Sequence, residues 1–379
     1  MAKARLERRG KKGLWTIVLS VPGDRQRRIA TRTDDRAAAE RRMRQVLEEA
    51  EAGVSFDDNP RLAAWLDRWY VERCVGRLQD TTLAQYAAHA NRIKALLGTV
   101  RLRDMTTAHV RRLHEHLLTK GAVNGGPLDP ATVAVAHAAL SSALRYAQEQ
   151  ALLLRNVAGL VPAPRVPYRE PEWLTEAECG KLLAASPESP WRAYAALALL
   201  TGLRRGELLG LHWPDVDWDR GTLRVTRQRQ RDQDGVVERG PKGERSRRTI
   251  PLPQDGLELL RSIRARQVEA AAVLGEDPPA HVFARRRTGR WEPYSPGAAS
   301  EGVRHLYQRA GLPVPKRPVH ALRHTVGMLL RSLGADRRLA QEQLGHASTA
   351  TADLYAHVPA PELRDAMQRV ARRIGGGGR

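Results

Sequence analysis

The chain has 379 residues, with 63 Lys or Arg against 42 Asp or Glu, so its formal net charge at pH 7 is +21. No apolar run approaches the ~18 residues of a membrane-spanning helix, and the basic N-terminus lacks the apolar segment of a secretory signal. Two cysteines, Cys74 and Cys179, are too few for a disulfide framework. We therefore expect a cytoplasmic protein without a membrane partner, whose excess cations bind a polyanion such as nucleic acid.

Residues 1–54 are predicted to form a small β-sheet followed by one helix. Strands are expected at 14–19 and 27–31, and a helix over 34–49. Such a sheet with a basic surface suits contact with a DNA groove, whereas a solvated basic tail is the plainer interpretation. The candidate DNA-binding residues are Arg8, Arg9, Lys11, Lys12, Arg25, Arg27, Arg28 and Arg32.

Residues 60–156 are predicted to be helical, because apolar residues recur there at helical spacing in four segments. Thr81 and Thr106 are expected to cap the N-termini of the second and third helices, and Gly98 and Gly121 to end them. Basic residues between the apolar positions predict a DNA-binding surface, and a plain helical bundle is the alternative. The helices are expected at 60–75, 81–97, 106–120 and 130–152.

A proline-rich linker is expected over 157–172, since prolines favour an extended chain. Residues 173–379 then read as a mainly helical domain with short strands, so the predicted fold class is mainly α with small β-sheets (α+β). A last amphipathic helix is expected over 361–374. The strands are expected at 221–226, 236–237, 249–252 and 281–284.

Motifs of several other chemistries are absent from the sequence. It contains no G-x-x-x-x-G-K-[ST] phosphate-binding loop and no G-x-S-x-G nucleophile turn, which disfavours P-loop ATPases and α/β-hydrolases. His320 and His324 have the spacing of a zinc-binding helix, but Arg323 between them would repel a cation. We therefore expect no metal in the site and no cofactor.

The C-terminal domain contains side chains suited to binding a phosphate. Arg204 follows a Thr-Gly break between two predicted helices, and Glu207 lies one turn later, where it can orient the Arg204 guanidinium. Lys242 lies in a polar turn just before a predicted strand, at the tip of a hairpin. Taken singly, an arginine at a helix break or a lysine in a turn is typical of an ordinary surface.

Four more candidate residues follow along the chain. His320 and Arg323 are three residues apart at the start of a predicted helix, so both side chains lie on one face. His346 follows Leu-Gly at a helix end, and Tyr355 lies nine residues after it. The evidence is the combination of these residues and their order.

That combination resembles the tyrosine recombinase (phage integrase) family, including the string His-Ala-Leu-Arg-His-Thr at 320–325. Ala321, where many relatives carry Asp, is a minor departure. The resemblance implies an arm-DNA-binding domain at 1–54, a helical core-DNA-binding domain at 60–156 and a catalytic domain at 173–379. It implies as catalytic residues Arg204, Lys242, His320, Arg323, His346 and Tyr355, with Glu207 in support.

The resemblance also implies roles for these residues. Tyr355 would attack the scissile phosphate and form a 3′-phosphotyrosine, which conserves the bond energy without metal or ATP. Arg204 and Arg323 would stabilise the charge of the transition state, and His346 would add a hydrogen bond. Lys242 would protonate the leaving 5′-oxygen, and His320 would act as a base or donor.

The implied partners are double-stranded DNA at core and arm sites and three further copies of the chain, in a tetramer on DNA. The resemblance implies that the helix over 361–374 docks on a neighbouring protomer, and packing against its own domain is the alternative. A host DNA-bending protein and a directionality factor are further candidate partners, and the implied role is integration or excision of a phage or mobile element. Two alternatives stay open: a type IB topoisomerase-like enzyme and a catalytically inactive DNA-binding regulator. The basic N-terminal module favours site-specific recombination over the first, and the complete residue set disfavours the second.

Overall fold

The computed structural model describes residues 2–9, 13–22, 25–56, 58–78, 80–122, 124–168, 170, 172–232, 235–240, 247–345 and 361–375. The chain divides into two compact units, Met1–Tyr168 and Arg169–Arg379. Within the described residues, every helix is too short or too polar to cross a membrane. The expected fold class, mainly α with small antiparallel sheets, is confirmed.

The first unit begins with a three-stranded antiparallel sheet of β1 (Lys3–Arg9), β2 (Leu14–Ser20) and β3 (Arg27–Ala30), in that order. One face of the sheet packs on α1 (Arg36–Glu51) through a small core that includes Ile17. The predicted strands and helix are confirmed. Strand β1 was not predicted from the sequence, because most of its residues are charged and its apolar residues alternate over only a short stretch.

Four helical segments complete the first unit, close to the expected positions. The first changes from α-helix to a π-helical turn, Tyr70–Cys74. Thr106 caps its helix through the His109 amide as predicted, but the preceding helix begins at Asp80, so the prediction of Thr81 as its cap is wrong. The α-helices are α2 (Leu62–Trp69), α3 (Asp80–Leu97), α4 (Thr107–Lys120) and α5 (Pro130–Glu149).

Tryptophan packing holds these helices together. Trp65 is buried, stacks on Tyr146 with ring centroids 5.4 Å apart, and donates its indole N–H to the Ala143 carbonyl at 2.8 Å.

The Arg103 guanidinium donates to the carbonyl of Asp58 at 2.7 Å and to that of Ser55. These bonds join the segment after the N-terminal sheet to the helices within the same unit.

The second unit is mainly helical, and its core surrounds α7, which is apolar on nearly every face. The last helix, α13, buries Leu363, Met367, Val370 and Ile374 in this same core, against α6, α7 and α11. Of the two dockings expected for this helix, the structure has the one within its own domain. The helices are α6 (Glu176–Ala184), α7 (Pro190–Thr201), α8 (Arg205–Leu209), α9 (Gln254–Leu274), α10 (Pro296–Arg309), α11 (Pro318–Ser332), α12 (Arg337–Leu344) and α13 (Pro361–Gly375).

In the part of this unit that the structure describes, three small antiparallel sheets accompany the helices. One has the order β4-β5-β8, and the pairs β6-β7 and β9-β10 form the others. The strand expected at 281–284 is wrong in position, because His281 makes only an isolated bridge and the strand begins at Ala284. The strands are β4 (Val216–Asp217), β5 (Thr222–Val225), β6 (Gln228–Asp232), β7 (Gly235–Arg239), β8 (Arg248–Pro251), β9 (Ala284–Arg287) and β10 (Arg290–Pro293).

Candidate active site

The site begins at the break between α7 and α8. Gly202 ends α7 with a φ of 66°, and a Cβ there would lie 2.6 Å from a Leu344 methyl carbon, so only glycine fits. Two residues later the Arg204 backbone N–H donates to Glu207 at 2.9 Å, which satisfies a free amide at the start of α8. The local sequence thus places Arg204 at a helix N-terminus with Glu207 beside it, as predicted.

Glu207 is a buried carboxylate held by two arginines. Arg248 donates to Oε1 at 3.1 Å and to Oε2 at 2.9 Å, and Arg204 donates to Oε1 at 2.9 Å. Burial by itself raises the pKa of Glu207, but the hydrogen bonds and charges of Arg248 and Arg204 outweigh it and hold that pKa at about 2. The carboxylate is therefore ionised at neutral pH and anchors both guanidinium groups.

Arg323 lies on α11 with only 3% of its surface exposed. Its guanidinium donates to the Gly202 carbonyl at 2.7 Å and to the Leu344 carbonyl. Burial, with the nearby charge of Arg204, lowers the pKa of Arg323 to about 9, so the side chain still carries its charge at neutral pH. The buried cation needs these carbonyl partners, because an unpaired charge in this environment is costly.

Three arginines meet at the end of α12. The carbonyls of Gln343, Leu344 and Gly345 accept hydrogen bonds from Arg248 at 3.3 Å, from Arg323, and from Arg204 at 2.9 Å. These last carbonyls of a helix have no partners inside it and carry partial negative charge. Residues more than 100 positions apart in the sequence are thereby brought together, and the next residue along the chain is His346.

His320 lies on the same face of α11 as Arg323, about one turn earlier, and is exposed. Its ring meets that of His324 edge to face, with centroids 4.5 Å apart. Partial burial, together with His324 and the charges of Arg323 and Arg204, lowers the pKa of His320 to about 4. The ring is therefore neutral at pH 7 and can accept or donate one proton.

Three of the predicted catalytic residues, Lys242, His346 and Tyr355, lie outside the described residues. Among those described, Arg204, Arg323 and Glu207 come together. Arg248, just before the strand expected at 249–252, is not among the candidate residues that the sequence indicates. In the structure Arg248 faces the core, but nothing in the local sequence pattern distinguishes it from the many exposed arginines.

The candidate N-terminal DNA contacts do not share one face of the sheet. Cross-strand pairing places the candidate Arg28, and Arg5, which was not among the candidates, on either side of Val18, on the face away from α1. Arg27 and Ile29 are two residues apart on β3, so both lie on the face that packs toward α1, and Arg8 lies over the Trp15 ring at 5.7 Å. Arg25 and Arg32 are exposed beside the strand β3; Lys11 and Lys12, and the side chain of Arg9, lie outside the described residues.

The chain is similar in sequence and in fold to known tyrosine recombinases and integrases. The model of the phage integrase family matches residues 172–361. The tyrosine recombinase XerC-like protein of Caldanaerobacter subterraneus subsp. tengcongensis is 26% identical over 354 residues, which cover 87% of this chain and 88% of that protein. The tyrosine recombinase XerA of Pyrococcus furiosus is 32% identical over 223 residues, covering 58% of this chain and 67% of that protein.

A solved structure of a lambda integrase fragment, a dimer bound to a COC′ core site, has a TM-score of 0.58 and 25% identity, covering 76% of this chain and 93% of that one. The fold is thus an integrase fold. The chain belongs to the phage integrase family, and it is a tyrosine site-specific recombinase, an enzyme that recombines DNA.

Proposed function

We propose that the enzyme cleaves and rejoins DNA through a 3′-phosphotyrosine at Tyr355, with Arg204 and Arg323 bound to the scissile phosphate. The observation that carries this proposal is the meeting of the two arginines on consecutive carbonyls, those of Gly345 and Leu344, directly before His346. A phosphate that enters this place meets guanidinium groups already held in position, and such preorganised donors stabilise a transition state most.

The charges at the site support this proposal. Among the described residues of the site, three arginines, Arg204, Arg248 and Arg323, surround one ionised carboxylate, Glu207, so positive charge is in excess there. All three nitrogens of the Arg248 guanidinium donate within the protein, to the Glu207 carboxylate and the Gln343 carbonyl, whereas the Arg204 side chain is 39% exposed. Arg204 is therefore accessible to a phosphate, while Arg248 and Glu207 act as positioning residues.

In the proposed reaction, the Tyr355 oxygen bonds to phosphorus while the bond from phosphorus to the 5′-oxygen breaks. Lys242 gives a proton to the leaving 5′-oxygen, and the tyrosine proton goes to a base, for which His320 is the candidate because its neutral ring has a nitrogen that accepts a proton. His346 donates a hydrogen bond to the phosphate. Attack by a 5′-hydroxyl of a second duplex then reverses these steps and joins new partners.

We further propose that the N-terminal sheet binds arm sites, that α2–α5 bind core sites, and that four copies act together on two duplexes. The open face with Arg5 and Arg28 supports the first of these roles, since both cations project away from α1. The net charge of +21 supports an extended DNA contact. The biological reaction proposed is integration or excision of a phage or mobile element.

The experiment is covalent trapping on nicked DNA fragments taken from the region that flanks the gene. Wild type should form a protein–DNA adduct that survives denaturation, and Tyr355→Phe should bind the same fragment without an adduct. Tyr168→Phe, at a tyrosine that is 84% exposed, is the matched control and should trap DNA normally. An adduct with Tyr355→Phe would contradict the proposal, and an adduct without strand joining between duplexes would favour the topoisomerase-like alternative.

A further inference from the structure

A second cluster of polar side chains lies in the C-terminal unit, formed by His212, Glu238 and His281. The Nε2 atoms of the two histidines are 3.1 Å apart, and His212 Nε2 lies 3.2 Å from Glu238 Oε2. His281 Nε2 also contacts Glu238 Oε1. All three ligand atoms lie within 4.8 Å of one another.

The backbone holds the two histidines in this arrangement. His212 and His281 form an antiparallel bridge, flanked by Trp213 N–H to the Ala280 carbonyl at 3.0 Å and Val282 N–H to the Leu211 carbonyl at 2.9 Å. The two side chains therefore lie directly opposite each other, with ring centroids 4.1 Å apart. Such a pair is in place before any ligand arrives.

Buried neighbours fix the bridge further. Trp213 donates its indole N–H to the buried Gln267 at 3.0 Å, and the Gln267 amide donates to the Val282 carbonyl at 3.0 Å. Residues that follow each histidine are thus tied to one side chain of α9. A rigid frame of this kind lowers the cost of ordering ligands around an ion.

Glu238 comes from β7, where its partner across the hairpin is Arg229. Arg229 donates to Oε1 at 3.0 Å, which orients the carboxylate and leaves Oε2 directed at His212. A carboxylate has about four lone-pair positions, so this bond and a metal bond are compatible. The arginine also balances the carboxylate charge when no ion is bound.

The spacing fits one small ion. In a tetrahedral zinc site with ligand bonds near 2.0–2.1 Å, neighbouring ligand atoms are about 3.3 Å apart. The two Nε2 atoms here are 3.1 Å apart, His212 Nε2 and Glu238 Oε2 are 3.2 Å apart, and the third pair of ligand atoms lies within 4.8 Å. We propose that His212, Glu238 and His281 bind one Zn²⁺ through two imidazole nitrogens and one carboxylate oxygen, with water as the fourth ligand. Imidazole donors favour such a transition metal over Mg²⁺ or Ca²⁺.

An ion can reach this site from solvent, because the three side chains are 18–26% exposed. When bound, it joins β7 to two segments of the domain core. Lys242 follows the end of β7 by three residues in the sequence, so the ion holds the strand that leads to Lys242. This consequence, unlike the metal site itself, rests on the proposed role of Lys242.

The test is metal binding by the full-length protein after removal of metals with a chelator. Titration with Zn²⁺ against a chromophoric chelator should show a tight site, and Co²⁺ in its place should give the strong visible absorption of tetrahedral coordination. His281→Gln and Glu238→Gln should each weaken Zn²⁺ binding at this site about 100-fold or more, since losing even an outer-shell partner costs 10–100-fold. Saturating Zn²⁺ should raise the melting temperature of wild type by about 5 °C and not that of the variants.

A second histidine pair in the chain provides the matched control. His114 Nε2 lies 3.1 Å from His137 Nδ1, and within the described residues no third ligand of this kind joins that pair. His137→Gln should leave Zn²⁺ affinity and the Co²⁺ spectrum unchanged.

Circular dichroism identifies any variant that fails to fold, and Glu238→Gln, on a hairpin, preserves the core. Wild-type affinity in His281→Gln and Glu238→Gln, or no tight site in wild type, would show that the cluster is only hydrogen-bonded and would overturn the proposal. Neither result bears on Tyr355.

Discussion

Arg248 donates to both carboxylate oxygens of Glu207, at 3.1 and 2.9 Å, although 41 residues separate the two in the sequence. Both side chains are almost fully buried, with 9% and 3% exposed. Breaking a buried ion pair by removing one partner leaves an uncompensated charge and costs several kcal/mol. This pair therefore connects the stability of the C-terminal unit to the position of Arg204.

The first prediction concerns the pH dependence that this pair produces. The pKa of Glu207 is about 2 in the folded chain against an ordinary value of 4.5. Because the folded pKa is lower, ionised Glu207 contributes stability that is complete above pH 4.5 and is lost as the pH falls toward 2. The difference corresponds to about 3 kcal/mol. Urea unfolding of wild type and Glu207→Gln at a series of pH values should show this loss only in wild type.

Glu301→Gln is the control for that measurement. Glu301 is 59% exposed and pairs with Arg304 at 3.4 Å on the surface of α10, so its loss should change stability by less than ~1 kcal/mol. Parallel pH profiles for wild type and Glu207→Gln would contradict the assigned pKa of Glu207.

The second prediction concerns Arg323. Lysine keeps the charge but presents its three N–H donors from one nitrogen, so Arg323→Lys cannot reach the carbonyls of Gly202 and Leu344 and also a phosphate as the two terminal nitrogens of arginine do. We expect strand cleavage to fall by about 100-fold or more, with DNA affinity changed only a few-fold. Single-turnover cleavage of a nicked substrate and gel-shift binding measure the two effects.

Arg331→Lys, at an exposed position later on α11, is the matched control and should cleave at the wild-type rate. Cleavage by Arg323→Lys within a few-fold of wild type would mean that Arg323 is only structural. A variant that loses binding and cleavage equally would have lost its fold, which the circular dichroism spectrum checks.

The third prediction concerns the open face of the N-terminal sheet. Arg5 and Arg28 flank Val18 across neighbouring strands. The double variant Arg5→Ala, Arg28→Ala should lower the slope of log affinity against log salt for arm DNA by about 1.8, or 0.9 per phosphate contact. Cleavage of a core site should not change.

An arginine on α1 tests whether this effect is specific to the face. Arg44 is exposed on that helix, which covers the opposite side of the sheet. Arg44→Ala should leave the salt slope as in wild type. A slope that falls equally in both variants would indicate a diffuse charge effect and remove the assigned arm-binding face.

The fourth prediction concerns close packing between α10 and α7. A Cβ on Gly302 would lie 2.2 Å from the Trp191 ring, so Gly302→Ala must displace a large aromatic side chain. Gly297, on the same helix, has only one neighbour near this position, at 3.9 Å. We expect Gly302→Ala to destabilise the unit by about 1–3 kcal/mol and Gly297→Ala to be neutral or stabilising. Thermal unfolding compares them, and equal stability of the two variants would contradict the packing described.

Local sequence predicts much of this protein. Helical apolar spacing located α3, α4 and α13, and Thr106 was recognised as a cap, because these features depend on residues three or four positions apart. The sequence motifs around Arg204, Glu207 and Arg323, and their order along the chain, were also enough to indicate the family. The prediction of Thr81 as a cap failed because a start one residue earlier satisfies the same spacing.

Other features were decided only by the tertiary structure. Arg248 meets Glu207, the carbonyls of Gln343 to Gly345 gather three arginines, and His212 faces His281 across 69 residues of sequence. Each contact joins segments whose local sequence patterns are independent of one another. No rule about residue spacing within one segment therefore predicts such a contact. The sequence by itself determined which groups are available for phosphate chemistry, because residue types and short-range order are local properties. Their convergence was decided by the packing of α7, α11 and α12, because only the folded core brings such distant side chains within hydrogen-bond distance.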